Sequence, residues 1–206
     1  MGTITEPKPV KLFVGMLSAK PEWLAAAERR LVEQLGAVDL ASAEMPFDWT
    51  DYYRDAMGEG LKRKFVSFER LIASEEIVEI KRLTNAMEEE LAREIRDCPA
   101  SGTVPDFPNA AKGDSPLNSD KGTVPIRPVN LDPGYLTLSK VVLATTKDYS
   151  HRLYLGRGIY AEVTLRFHKG AYEPWEWTYR DYRTAEYGAF FLEMRKRLSE
   201  QLRETR

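Results

Sequence analysis

The stretch VKLFVGMLSAKPEWLAAAERRLVEQLG, residues 10–36, decides the fold class, because it predicts a strand followed at once by a helix. Its first eight residues are mostly apolar and favour an extended strand. In the second half Pro21 suits a first helical turn, and Gly36 suits the position after the last turn. Between them, apolar residues recur near helical spacing at Trp23, Leu24, Ala27, Leu31 and Leu35.

The next hundred residues continue the alternation of strand and helix. LKRKFVSFERLI, residues 61–72, alternates in the manner of a strand with two mixed faces. SEEIVEIKRLTNAMEEELAREI, residues 74–95, predicts a long amphipathic helix with Ser74 as its N-cap. With a further strand near residues 39–45, the order becomes β-α-β-β-α-β, which matches the split βαβ arrangement of ferredoxin-like folds.

The C-terminal third is rich in strands. YLTLSKVVLATT (135–146), HRLYL (151–155) and IYAEVTLRF (159–167) each predict one, and a helix follows from about residue 185 to residue 202. We therefore expect an α+β fold: a mostly antiparallel or mixed sheet with helices packed on one face. A ferredoxin-like arrangement, extended by a C-terminal β-hairpin and helix, fits this order of elements. The alternative is an α/β sheet with a hairpin extension.

Residues 99–128 differ from the rest of the chain in composition. They concentrate Pro, Gly, Ser, Asn and Asp, which support neither helical nor strand periodicity, and so they predict a flexible loop. A chain of 206 residues with 43% apolar residues is long enough for one sizeable core. We expect a single domain, residues 1–206, interrupted by this loop.

Charge and cysteine content exclude several classes of function. The chain has 30 basic and 32 acidic residues, and this near balance argues against a nucleic-acid partner. Its single cysteine, Cys98, forms no intrachain disulfide and belongs to no zinc signature, which indicates the cytoplasm. No run of about 20 apolar residues is present to cross a membrane.

NLDPGYLTLSKVVLATTKDYSHR, residues 130–152, holds most of the candidate site residues. Asp132, Pro133 and Gly134 suit a type II turn that starts the strand. Lys140 then interrupts an apolar strand face. A buried ammonium group requires an anionic partner, so Lys140 either extends to the sheet edge or binds a partner or ligand.

The hairpin that follows supplies neighbours for Lys140. If Gly156–Gly158 form its loop, Leu155 pairs with Ile159 and Tyr154 with Tyr160, and Arg152 forms a cross-strand ion pair with Glu162. If residues 147–150 form a four-residue connection, Lys140 approaches Arg157 and the two glycines, whose backbone N–H groups could cradle an anion. The alternative is that the glycines only satisfy hairpin geometry. The predicted ligand-binding residues are Lys140, Lys147, Arg152, Gly156, Arg157 and Gly158.

Catalytic and metal-binding residues are less clearly indicated. His151 is a candidate acid or base, with Asp148 as its partner, although a histidine beside a turn is more often a surface residue. Asp48 and Asp51 could hold a magnesium ion beside a phosphate, but helix capping by Asp48 or Thr50 is the commoner use of such residues. We assign no metal site, and leave open which cofactor, if any, the protein uses and whether it is an enzyme.

Several segments together resemble a bacterial family catalogued as domain of unknown function 4416: KPVKLFVGMLS, FDWTDYY, MGEGLKRKFVSFERLI, the region from VNLDPGY to VTLRF, and WTYRDYR. The resemblance covers nearly the whole chain except residues 99–128, which look like an insertion. Members are often labelled GTP-binding proteins, which implies a nucleotide ligand.

The motifs of an ordinary GTPase are missing from the sequence. No G-x-x-x-x-G-K-[ST] string is present to cradle phosphates, and TTKDYS does not fit the guanine-reading N/T-K-x-D pattern. The resulting hypothesis is a domain that binds a phosphorylated small molecule or nucleotide without a P-loop.

Two other function classes fit the residues. A non-catalytic interaction module would present the aromatics between Trp175 and Tyr182 to a protein partner as a flat, exposed patch. An RNA-binding domain would require the basic strand at Lys62–Lys64 to share an open sheet surface with aromatic side chains.

Overall fold

The computed structural model describes residues 2–97 and 127–204, and these residues form an α+β fold. The predicted class is therefore confirmed. In chain order the elements are β1 (Val10–Ser18), α1 (Pro21–Leu35), β2 (Val38–Ala41), β3 (Met45–Pro46), α2 (Arg54–Met57), β4 (Lys62–Ile72), α3 (Ile77–Asp97), β5 (Asn130–Leu136), β6 (Lys140–Thr145), β7 (Leu153–Gly156), β8 (Ile159–His168), β9 (Ala171–Pro174) and α4 (Ala185–Glu204).

The strands form one sheet with the order β2-β4-β1-β5-β6-β8-β7, in which β3 also pairs with β4 and β9 with β8. Every neighbouring pair is antiparallel. Strand β4 lies between the two strands that α1 connects, and β1 lies between the two that α3 connects. This is the split βαβ arrangement, so that prediction is confirmed, as are the hairpin β7–β8 and the C-terminal helix.

Helices cover both faces of the sheet, and the prediction that they pack on one face is wrong. Along β1, Leu12 and Val14 point to the core shared with α1 and α3. Phe13 points the other way and packs against Phe191 of α4, with ring centroids 5.0 Å apart. Strands with two buried faces carry apolar residues at consecutive positions, which explains the apolar run at residues 12–17 of β1.

The predicted turn at Asp132–Gly134 is also wrong, because these residues lie inside β5. A Cβ atom on Gly134 would lie 2.5 Å from the carbonyl oxygen of Val142 and 2.6 Å from the Phe13 ring. Glycine is thus required here for close packing rather than for a turn. The chain instead reverses direction after β5, where the amide of Thr137 donates to the carbonyl of Lys140 at 2.9 Å. The predicted strand 135–146 is therefore two strands.

The tip of the β7–β8 hairpin is tighter than predicted. Arg157 and Gly158 have φ angles of 52° and 78°, which suit a two-residue turn. Tyr154 pairs with Tyr160 as predicted, but Gly156 rather than Leu155 pairs with Ile159. Leu155 is the extra residue of a bulge.

Helix α3 begins later than predicted. A 3-10 turn at Ser74–Glu76 precedes it, and the Glu76 side chain accepts a hydrogen bond from the Ala73 amide at 2.8 Å. Glu76 rather than Ser74 therefore stabilises this start.

Most of the predicted loop lies outside the described residues, as does Cys98, and only Arg127 and Pro128 of the loop are described. The Pro128 carbonyl accepts a hydrogen bond from the Ser18 hydroxyl at 2.6 Å, which ties the start of β5 to the end of β1. Among the described helices, none is long and apolar enough to span a bilayer.

Candidate functional site

Strands β5 and β6 separate at one end, and the buried charged side chains of Arg63, Lys81 and Glu88 lie at this opening. Strand β5 pairs with β6 only from Gly134 to Leu136, although it pairs with β1 back to Asn130. At Leu131, where β6 does not pair with β5, side chains of α3 form hydrogen bonds with the backbone amide and carbonyl groups. Lys81 Nζ donates to its carbonyl at 2.9 Å, and Glu88 Oε1 accepts from its amide at 2.7 Å.

Asp132 lies at the centre of this opening. Its Oδ2 atom accepts hydrogen bonds from Arg63 Nη1 at 3.1 Å and from Asn130 Nδ2 at 2.6 Å. Lys81 Nζ lies 3.9 Å from Oδ1. The Asp132 side chain remains 28% exposed, whereas that of Arg63 is only 3% exposed. The Asp132 carboxylate is thus bound by a buried arginine and remains partly exposed to solvent.

Arg127 and Glu88 extend these contacts. Arg127 donates to Glu88 Oε2 through Nε at 3.1 Å and through Nη2 at 2.7 Å. It also donates to the side-chain oxygen of Asn130, whose amide group holds Asp132. We call these six side chains the Asp132 cluster: Arg63, Lys81, Glu88, Arg127, Asn130 and Asp132.

The surrounding cations keep Asp132 ionised. Burial alone would raise the pKa of Asp132, but Lys81 and Arg63 outweigh it and hold the pKa below its ordinary value. Asp181 behaves differently. Burial raises the pKa of Asp181 even though Arg63 Nη2 lies 3.6 Å from its Oδ2 atom.

A second group of side chains surrounds Glu162 on β8. Glu162 is 3% exposed and accepts from Arg152 Nε at 2.9 Å, which confirms the predicted cross-strand ion pair. His151 Nε2 lies 3.0 Å from the same carboxylate oxygen. The His151 ring also stacks on Trp177, with centroids 5.3 Å apart. His151 is thus held on two sides.

Tyrosines connect the two groups. The Tyr179 hydroxyl accepts from Arg152 Nη2 at 2.6 Å. Burial raises the pKa of the Tyr179 phenol, and both Glu162 and Asp132 raise it further. Burial and Asp132 likewise raise the pKa of Tyr53. Both phenols remain protonated at neutral pH and can donate hydrogen bonds beside Asp132.

The outer rim of the opening is aromatic and basic. Lys147 Nζ donates to the Tyr52 hydroxyl at 2.6 Å and lies 4.6 Å from the centroid of its ring. The Lys147 carbonyl accepts from Arg152 Nη1 at 3.0 Å. Tyr52, Tyr149 and Tyr179 are 60%, 66% and 49% exposed.

The structure separates the residues that the sequence grouped into one site. Lys147 and Arg152 lie at the opening. Lys140 pairs with Arg166 at the far end of β6, whereas Thr145 pairs with Tyr160 near the hairpin tip. The expected convergence of Lys140 and Arg157 is therefore wrong. It assumed that β6 pairs with the strand that follows it, but β6 pairs with β8.

Gly156 and Arg157 line a separate cavity of about 540 Å³ between the hairpin and the start of α3. Arg157 forms an ion pair with Glu79 at 2.7 Å. Glu75 lines the same cavity, so the cavity has no positive excess for an anion. The Gly158 amide donates to the Tyr154 hydroxyl at 3.3 Å, which is a contact within the hairpin.

Among the described residues, the other candidates make no hydrogen bond or ion pair with the Asp132 cluster. Asp148 makes no hydrogen bond or ion pair with any residue that the structure describes. Asp51 pairs with Arg54 at 2.9 Å, and the Thr50 hydroxyl caps the turn by accepting from the Tyr52 amide. Within residues 2–97 and 127–204, no group of three His, Cys, Asp or Glu residues could hold a metal ion.

The surfaces required by the two alternative functions are absent from the described part of the chain. Trp175 and Trp177 are partly buried and stack on each other, and Tyr182 is 4% exposed in the core, so this region is not a flat aromatic patch. Lys62 and Lys64 pair with Glu44 and Glu28. Helices cover both sheet faces of the basic strand β4.

The Asp132 cluster was missed at the sequence level, although a signal for it exists. Ile77, Lys81, Thr84, Glu88 and Leu91 follow one another at helical spacing and are all buried. Lys81 and Glu88 thus interrupt the apolar stripe of α3, and burial of such charges requires partners.

One comparison with known proteins gives a match. A family model described as Domain of unknown function (DUF4416) matches residues 8–97 and 116–198. The unmatched internal segment, residues 98–115, is shorter than the insertion expected at 99–128. Comparisons with curated proteins and with solved structures give no match.

Proposed function

The chain belongs to the DUF4416 family, and we propose that it binds a phosphate-bearing small molecule, such as a nucleotide, at the Asp132 cluster. The observation that carries this proposal is the partly exposed Asp132 carboxylate with three cations around it: Arg63, Lys81 and Arg127, all of which lower its pKa. Cations close to an opening in the sheet attract anions.

The mixture of groups favours a ligand with more than a phosphate. Lys81 and Arg127 would face the anionic part of the ligand. Asp132 is an acceptor only, and it suits a hydroxyl or amino group of the same ligand. Nucleotides carry both kinds of group. The exposed rings of Tyr52, Tyr149 and Tyr179 provide surfaces on which a base could stack.

Lys147 and Arg152 have different roles in this proposal. Lys147 is exposed at the rim and adds a cation that a phosphate can reach. Arg152 is 8% exposed, and its three nitrogens bond to Glu162, Lys147 and Tyr179. It positions the Tyr179 hydroxyl rather than contacting the ligand. His151, stacked on Trp177 and bonded to Glu162, supports the same wall, and we assign it no catalytic step.

A thermal-unfolding screen with adenosine, AMP, ADP and ATP tests the proposal. The nucleotides should raise the unfolding temperature and adenosine should not, because the phosphates supply most of the binding energy. A ligand at a hundred times its Kd stabilises the folded state by about 2.7 kcal/mol. Added salt should reduce the shift, because the cations of the opening attract the ligand partly through solvent.

Two lysine variants locate the effect. Lys147→Met removes a cation from the rim and should reduce the nucleotide-induced shift. Lys140→Met removes the same charge from the far end of β6 and should leave the shift unchanged. No shift with any nucleotide, or equal loss in the two variants, would contradict the proposal.

The cytoplasmic location and the single-domain organisation stay predictions.

A further inference from the structure

A further concave surface lies on the other side of α4 from the core, and the proposed nucleotide site does not include it. It is a groove of about 290 Å³ between α4 and the turn that joins β8 to β9. We call it the α4 groove. Six of its residues recur along one stripe of α4: Leu192, Arg195, Lys196, Ser199, Glu200 and Arg203; Phe167 and Gly170 form the opposite wall.

The charge of the α4 groove is positive. Its lining has three cations, Arg195, Lys196 and Arg203, against one carboxylate, Glu200. Arg203 also lies in the last turn of α4, where a cation stabilises the helix dipole. Arg195 and Lys196 lie further from that end and are not explained in this way.

Arg195 is held in a fixed position. Its Nε donates to the carbonyl of Leu138 at 2.9 Å, and its guanidinium carbon lies 3.7 Å from the centroid of the Phe167 ring. Within residues 2–97 and 127–204, its two terminal nitrogens make no hydrogen bond or ion pair, and neither does Lys196. An arginine whose Nε is fixed by a hydrogen bond and whose terminal nitrogens are free is pre-organised to bind a tetrahedral oxyanion such as phosphate.

We propose that the α4 groove binds a phosphate monoester with an apolar substituent. The phosphate lies against Arg195 and Lys196, and its two negative charges match the excess of two cations in the lining. The Ser199 hydroxyl provides a further donor. The substituent lies against Leu192, which is 38% exposed, and Phe167.

Calorimetric titration with phenyl phosphate tests this proposal on the full-length protein, with benzyl alcohol as the uncharged control. Phenyl phosphate should bind and benzyl alcohol should not. Lys196→Met should weaken binding by about fivefold or more, because it removes a charge-assisted contact. Arg197→Met is the matched control, since Arg197 lies next to Lys196 on α4 and pairs with Glu193 instead of lining the groove.

Arg195→Lys keeps the charge but loses the planar fork, and it should weaken phenyl phosphate binding. Absence of phenyl phosphate binding, or an equal effect of Lys196→Met and Arg197→Met, would overturn the proposal. Binding that depends on Lys147 and not on Lys196 would also overturn it, while supporting the nucleotide site. The phosphate could belong to a lipid headgroup or to a soluble ester, and co-sedimentation of the protein with vesicles that contain phosphatidic acid distinguishes the two. Co-sedimentation that requires Lys196 indicates a lipid headgroup. Phenyl phosphate binding without co-sedimentation indicates a soluble ester.

Discussion

Arg63 reaches Asp132 only because Gly15 has no side chain. Gly15 lies on β1, which runs between β4 and β5, and it pairs with Phe65 of β4 on one side and with Asp132 of β5 on the other. A Cβ atom there would lie 3.2 Å from Arg63 Nη1 and 2.9 Å from the Phe65 ring. Glycine in this strand therefore serves a close side-chain approach.

Gly15→Ala should destabilise the protein by about 1–3 kcal/mol, because the methyl group forces the Arg63 and Phe65 side chains aside. Urea unfolding measures this change. Gly188→Ala in α4 is the matched control, since no atom lies within 4 Å of its Cβ position, and it should be neutral or stabilising by up to about 1 kcal/mol. Similar losses in both variants would contradict the role assigned to Gly15.

Lys11 is the most deeply buried ammonium group described, with 0% exposure, and its Nζ contacts Asp39, Phe68 and Gln201 at 2.6, 2.9 and 2.8 Å. Lys11→Met should cost about 3 kcal/mol, because it leaves the Asp39 carboxylate without its cation. Adding Asp39→Asn should recover part of this loss. Lys62→Met removes an exposed pair with Glu44 and should cost less than about 1 kcal/mol. Equal costs for Lys11→Met and Lys62→Met in urea unfolding would be inconsistent with the burial of Lys11.

The contribution of Asp132 to stability should depend on pH. Its pKa is lowered in the folded protein by Lys81 and Arg63 acting against burial. The carboxylate therefore stabilises the fold above its ordinary pKa of about 3.9, and this contribution disappears as the pH falls through the lower folded-state value. Asp132→Asn should be less stable than the wild type by about 2 kcal/mol at pH 7, and the difference should shrink below pH 4. A difference that stays constant in acid would show that the charge of Asp132 is not responsible. Asp148→Asn, an exposed control, should change stability by less than about 0.5 kcal/mol.

The β8–β9 turn contains strain that a substitution can remove. Lys169 has a φ of 47° and is followed by Gly170 at 88°, a conformation that asparagine adopts more readily than lysine. Lys169→Asn should raise stability by about 0.5 kcal/mol, and Lys169→Val should lower it, because a β-branched side chain is disfavoured at positive φ. Thermal unfolding of the two variants should move in opposite directions; a shift in the same direction would rule out the backbone explanation.

The order of strands and helices followed from the sequence because it depends on local patterns. The β-α unit at residues 10–36 and the amphipathic stripe of α3 need only nearby residues to be recognised. The Asp132–Gly134 turn prediction failed for the opposite reason. Asp-Pro-Gly is a good turn sequence, but Gly134 is required where the Phe13 ring crosses β5, and Phe13 is far away in the chain.

The site depended on long-range pairing and was therefore only partly predictable. Arg63 and Asp132 meet because β4 and β5 both pair with β1. The argument that a lysine in an apolar strand needs a partner was sound but was applied to the wrong residue. Lys140 is only partly buried, whereas Lys11, in the apolar stretch of β1, is completely buried and ion-paired.

The central claim, that a phosphate-bearing ligand binds at the opening between β5 and β6, is tested most directly by locating the ligand. Backbone amide resonances of the isotope-labelled protein would be followed during titration with ADP. We expect the largest shifts in residues 127–133 and 147–152 and around Lys81, with little change near Lys140 and Arg166. Shifts confined to residues 167–170 and 192–203, or no shifts at millimolar ADP, would contradict the claim.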